Sequence, residues 1–173
     1  MVSIRKLTES DAEALWRLRL QALETDPGSF AESPEELKRT KVEDYAARLR
    51  SGGAESFVVG AFEGEQLVGM IGFYRDALLK RRHIGHIWGV FVSPQARGKG
   101  AGRAMLAEVV QSAKALQGIR CIRLLVAVTQ GAARHLYQES GFRVFGVESR
   151  SLKIGEQFVD ENYMTLEFED SRG

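Results

Sequence analysis

A single cysteine, Cys121, and three histidines stand in 173 residues. One cysteine cannot close a disulfide within the chain or build a cysteine-only metal cluster. It lies in the apolar run Cys121-Ile122-Arg123-Leu124-Leu125-Val126, where a buried structural thiol is expected rather than a nucleophile. The histidines, His83, His86 and His135, show neither H-x-x-x-H nor H-E-x-x-H spacing, so no metal site is expected. Excess charge of one sign is missing too: 24 Lys+Arg face 23 Asp+Glu, for a net charge of +1. That balance gives no overall attraction to nucleic acid or to an anionic membrane. No apolar run approaches the roughly 18 residues of a membrane span. The opening Met1-Val2-Ser3-Ile4-Arg5-Lys6-Leu7 is charged and alternating, without a signal-peptide apolar region. The expectation is a cytoplasmic protein with no membrane and no nucleic-acid partner.

What is present is ordinary globular composition, 44% hydrophobic and 27% charged, in a length suited to one domain over residues 1–173. Val2 to Leu7 alternates as a strand. Ser10 stands three residues before Glu13, a capping-box spacing that opens a helix with Leu15, Leu18 and Ala22 on its apolar face, stopped at Asp26-Pro27-Gly28. A second box, Ser33 to Glu36 with Pro34 between, starts another helix running to Ser51-Gly52-Gly53. From Ser56 the period becomes two. Ser56–Phe62 and Gln66–Tyr74 read as a hairpin around Glu63-Gly64-Glu65, and His83–Val92 as a further strand. Helical patterns at Gly102–Leu116 and Gly131–Ser140 bracket a strand at Cys121–Val128, and two strands joined at Gly155 close the chain.

The chemistry gathers at Arg97-Gly98-Lys99-Gly100-Ala101-Gly102, between the strand ending at Ser93-Pro94 and the helical run from Arg103. A glycine-rich strand-to-helix turn exposes backbone N–H groups in front of a helix N-terminus, which suits a phosphate or pyrophosphate. Arg97, Lys99 and Arg103 add positive charge there. The string is no Walker loop, lacking G-x-x-x-x-G-K-[ST]. It also fails G-x-G-x-x-G, because the last position falls on Arg103 or Met105. Taken alone, it fits an ordinary glycine-rich turn equally well.

Its setting resembles the Gcn5-related N-acetyltransferase (GNAT) superfamily, whose pyrophosphate loop reads R/Q-x-x-G-x-G/A. Arg97, Gly100 and Gly102 fill that pattern, in preference to the register from Gln95, because the last glycine then meets the helix start. The later segment Gln130-Gly131-Ala132-Ala133-Arg134-His135-Leu136-Tyr137-Gln138-Glu139-Ser140-Gly141-Phe142 resembles the family's N-x-x-A-x-x-L-Y-x-x-x-G-F helix, with Gln130 in place of asparagine. The resemblance implies an α/β fold: a mixed, largely antiparallel central sheet of about seven strands flanked by about four helices. In it a splayed pair of parallel strands binds acetyl-CoA as co-substrate.

Carried onto these residues, the resemblance implies cofactor contacts from backbone groups of Val90, Phe91 and Val92, from Arg97, Gly98, Lys99, Gly100, Ala101, Gly102 and Arg103, and from Gln130 and Tyr137. Gly89 would permit a bulge on the first splayed strand. Tyr137 is the expected general acid, since a phenol with a pKa near 10 is protonated at neutral pH while a thiolate leaves. The family often places a glutamate base on the splayed strand, where this sequence has none. His86, on that strand, and Glu32, in the loop Phe30-Ala31-Glu32, are the candidates for base, with Glu32 also able to bind the amine. His83 and Glu161 stand behind them. The expected activity is acetyl transfer to a primary amine of a small molecule by direct attack. The alternatives are a protein N-terminal or lysine acetyltransferase, and a weakly catalytic acyl-CoA-binding sensor module. The closing hairpin implies a homodimer, as it often does in the family.

Overall fold

A computed structural model describes residues 1–169. Seven strands form one sheet in the order β1-β2-β3-β4-β5-β7-β6. They are β1 (Val2–Lys6), β2 (Ser56–Glu63), β3 (Gln66–Arg75), β4 (Ile84–Val92), β5 (Cys121–Ala127), β6 (Arg143–Ile154) and β7 (Gln157–Glu167). Every neighbouring pair is antiparallel except β4–β5. The parallel pair follows from the connection between them, which runs through helix α4 (Ala101–Lys114). Helices α1 (Ala12–Thr25), α2 (Pro34–Leu37), α3 (Val42–Ser51) and α5 (Gly131–Glu139) complete the set. Among the described residues no helix is long and apolar enough to cross a membrane.

Each face of the sheet carries its own core. On one side Leu15, Leu18, Ala22 and Leu23 of α1 join Leu37, Tyr45 of α3, and the strand residues Val58, Phe62, Met70 and Phe91. On the other, Met105, Leu106, Val109 and Ala113 of α4 meet Val59, Ile71, Phe73, Ile122 and Leu124. β2 and β3 are buried on both faces, which is why they read as continuous apolar runs. Each fully buried Leu or Met side chain contributes about 1.5–3 kcal/mol to this packing.

Two helix starts differ from the sequence expectation. The first box forms at Thr8 rather than Ser10: the Thr8 N–H donates to Asp11 Oδ2 at 2.8 Å. Arg5 from β1 grips the same carboxylate with two hydrogen bonds of 2.8 Å, so the strand fixes where the helix begins. The Ser33 box forms as expected, with Ser33 N–H donating to Glu36 Oε2 at 2.8 Å. The helix it opens stops after one turn, however, and a new one begins at Val42, giving five helices instead of about four. Thr40 Oγ1 donates back to the Leu37 carbonyl at 2.7 Å, and the Lys41 N–H is capped by Asp44 at 3.0 Å. Such local side-chain bonds compete with the helical ladder and break it.

Candidate functional site

β4 and β5 pair at only three positions, Ile84–Cys121, Gly85–Ile122 and His86–Arg123, and then part. The opening is a cavity of about 490 Å³ between the two strands, closed at one end by the 97–103 loop and walled by α5. A bulge shapes its β4 wall. Between Trp88 and Phe91, β4 spends one residue more than β3 spends between Gly72 and Met70. Gly89 takes the left-handed conformation there, at φ 65°. The extra residue resets the alternation. Ile87 and Phe91, four apart, pack in opposite cores instead of the same one.

In the loop, Gly98 (φ 76°) and Gly100 (φ 81°) supply the positive φ values that turn the chain into α4. The first helical bond runs from Ala104 N–H to the Gly100 carbonyl at 3.0 Å. The N–H groups of Ala101, Gly102 and Arg103 therefore have no partner in the helix and lie at the cavity end. Gly102 serves packing: a Cβ there would stand 3.3 Å from Leu136 of α5. The loop cations are all paired with carboxylates. Arg97 meets Asp26, Lys99 meets Glu63 and Arg103 meets Glu139, each at 2.6 Å. Lys99 is the one loop residue that turns away from the cavity, toward β2.

Of the other expected cofactor residues, Val90, Phe91, Val92, Gln130 and Tyr137 all line the cavity. Gln130 sits at the N-cap of α5 without using its side chain to cap the helix, which leaves the amide free to contact a ligand. Tyr137 is 4% exposed. Its hydroxyl makes no hydrogen bond to a described residue, and burial pushes its pKa up from the ordinary value of a phenol. His135 is on the opposite side of α5, exposed and facing Glu139 at 3.4 Å. Burial likewise pushes up the Cys121 thiol, as suits a structural cysteine.

His86 and Glu32 lie outside the cavity lining, both on the α1 side of the sheet. His86 is one residue beyond the rim formed by Ile87 and Trp88. Its Nε2 lies 3.0 Å from Asp76 Oδ2, and its ring stacks on Tyr74 at 4.8 Å. Arg81 Nε donates to the same Asp76 oxygen at 2.7 Å. The Arg81 guanidinium first, then His86 and the Leu78 N–H, hold the Asp76 carboxyl at about 2. An ionised Asp76 can only accept, so neutral His86 carries its proton on Nε2 and its lone pair on Nδ1. Glu32 accepts from Arg19 Nε at 3.1 Å, and Arg19 packs against the rings of Phe30 and Trp88. His83 is exposed at the foot of β4, and Glu161 is engaged by Ser151 Oγ at 2.5 Å. Neither lines the cavity.

Asp76 and Arg19 escaped the sequence reading. Asp76 follows β3 and meets His86 only through the β3–β4 register, in which Arg75 stands opposite Gly85. Arg19 did leave a signal. It is four residues after Leu15, so a charge occupies the apolar stripe of α1.

A family model described as Acetyltransferase (GNAT) family matches residues 15–142. The fold is similar to an acetyltransferase of the GNAT family from Streptococcus pneumoniae, at 26% identity and a TM-score of 0.87, over 97% of this chain and 100% of that one. It is also similar to a ribosomal-protein-alanine N-acetyltransferase from Brucella melitensis, at 24% identity and TM-score 0.79, over 96% and 99%. A third likeness is to yncA from Salmonella typhimurium, solved with its cofactor acetyl-CoA, at 18% identity and TM-score 0.82, over 99% and 96%.

Proposed function

The chain belongs to the GNAT acetyltransferase family, and from that premise we propose that it acetylates the primary amine of a small molecule by direct attack on acetyl-CoA. The observation that carries this reading is the parting of β4 and β5 after His86, with Tyr137 on one wall and the glycine loop at one end. The residues present fit the cofactor: loop N–H groups and Arg97 for a pyrophosphate, Gln130 for the pantetheine arm, and apolar strand walls for the rest. Acetyl-CoA supplies an acetyl group already activated as a thioester.

The protein's own groups then divide the work. Backbone donors of β4 beyond the splay, on the side facing away from β3 within Val90 to Val92, polarise the carbonyl; one such donor contributes roughly 3–4 kcal/mol in well-studied enzymes. His86 Nδ1 takes the proton of the amine, with Asp76 holding the other ring nitrogen. Tyr137 gives its proton to the departing sulfur, and its burial keeps it protonated until then. Glu32 is close enough to Trp88, through Arg19, to help bind the amine.

A sensor module would need neither a free phenol in the cavity nor a carboxylate-bound histidine just beyond its rim. The chain is read as one N-acetyltransferase domain, since all seven strands of the described residues share a sheet. Exposed Val147 and Phe158 on the closing hairpin support a homodimer. An acetyl-CoA-dependent thiol-release screen over amines, amino acids and peptides with free N-termini tests the activity. Release with small amines supports it; release only with peptides moves the acceptor to proteins.

A further inference from the structure

We propose that the acceptor amine carries a carboxylate, and that Arg19 is the residue that binds it; this rests on the acetyltransferase reading above. Arg19 projects from α1 with a side chain only 11% exposed. Its guanidinium lies between two aromatic rings, 4.8 Å from Phe30 and 6.0 Å from Trp88. Nε and Nη2 both reach Glu32 Oε2 at 3.1 Å. Nη1 is buried and has no hydrogen-bond partner among the described residues. That nitrogen lies against the bulge, where a Cβ built on Gly89 would be 3.3 Å away. Phe30, Trp88 and Gly89 all line the cavity, so Arg19 sits one side chain behind its wall.

A buried guanidinium donor without a partner is rare in native proteins, because its hydration is lost and nothing replaces it. Charge balance does not explain the residue, since Glu32 already neutralises it. What is left over is a donor in the planar geometry that suits a carboxylate oxygen, at the β4 bulge beside the cavity. Glu32 complements it. Only Oε2 meets Arg19, so Oε1 remains to receive an ammonium group. Side by side, the pair offers a donor for an anion and an acceptor for a cation. An amino acid presents that combination; the N-terminus or lysine of a folded protein does not bring a free carboxylate with its amine. Because Nη1 is buried, a ligand reaches it only when a covering side chain moves, and Phe30 both lines the cavity and packs 4.8 Å from the guanidinium.

The experiment uses the full chain and measures thiol release from acetyl-CoA with the proteinogenic amino acids and, in parallel, their carboxamides. The expected kcat/KM favours an acid over its own amide by about 10- to 100-fold, the range of one hydrogen bond to a charged group. In Arg19→Met the ratio falls to about one, chiefly through KM, and Arg19→Lys retains part of it. A wild-type ratio near one overturns the inference without any variant, and so does a ratio unchanged in Arg19→Met. If neither series releases thiol although simple alkylamines do, the inference falls and the acetyltransferase reading stands. If no amine of any kind does, the reading beneath it falls as well.

Discussion

His86 and Asp76 lie 3.0 Å apart, one on β4 and the other just past the end of β3, and they join a titratable ring to a fixed negative charge at the mouth of the parted strands. In the proposed mechanism the pairing makes Asp76 a positioning residue: it sets the ring's tautomer and leaves Nδ1 for the amine. His86→Gln should lower kcat/KM by about 10²- to 10⁴-fold. Asp76→Asn should cost about 10- to 100-fold, as expected for one charge-assisted hydrogen bond. Both variants should bind acetyl-CoA as the wild type does, since neither residue lines the cavity. Steady-state kinetics with a parallel binding titration checks this.

Asp76 also has a stability signature. Its carboxyl titrates at about 2 in the fold against an ordinary 3.8. A carboxyl with a depressed folded pKa stabilises above the unfolded value, and the contribution fades as pH drops from 3.8 toward 2. The Tm difference between wild type and Asp76→Asn should therefore be constant near neutrality and shrink below about pH 4. Thermal melts at pH 7 and pH 3 show whether it does.

Tyr137→Phe removes the proposed proton donor and little packing. The expected loss is about 10²- to 10⁴-fold in kcat. Acetyl-CoA affinity should change by less than a few-fold. Because burial raises the phenol above its ordinary range, the wild-type rate should show no fall from Tyr137 ionisation up to pH 9. A pH–rate profile reads this directly.

In the proposed site Asp26 competes with the cofactor for Arg97. Its carboxylate holds Arg97 at 2.6 Å on the cavity wall, in the place where a pyrophosphate charge would otherwise be met. Asp26→Asn should tighten acetyl-CoA binding by about 2- to 5-fold, the scale of a solvent-screened ion pair. The gain should diminish with added salt. Titrations at two ionic strengths test both parts.

Gly89→Ala should be poorly tolerated. The left-handed φ of 65° costs an L residue about 1–2 kcal/mol. The new Cβ would also press on Arg19 Nη1. Denaturant melts should show the destabilisation, and the misplaced bulge should lower activity beyond it.

Much of this was legible in the chain. Alternation marked β1 and apolar runs marked β2 and β3, while the Gly98–Gly102 spacing and Tyr137 further on marked one end and one wall of the cavity. Gly89 announced the bulge that the β3–β4 register confirms. The misses share a cause. Thr8 displaced Ser10 as the cap because Arg5, on a strand, holds Asp11. Asp76 reaches His86 across a register that no local pattern encodes. Lys99, inside the motif, is drawn off by Glu63 on β2. Arg19 was visible as a charge in an apolar stripe, but its partners, Glu32, Phe30 and Trp88, converge only in three dimensions.

In the proposed function acetyl-CoA lies in the opening between β4 and β5, against the 97–102 loop. Titration calorimetry of acetyl-CoA into the wild type and Arg97→Ala tests it most directly. Saturable one-to-one binding is expected, weakened about tenfold or more in the variant by loss of a charge-assisted contact. Absence of binding in the wild type, or equal affinity in both proteins, would contradict it.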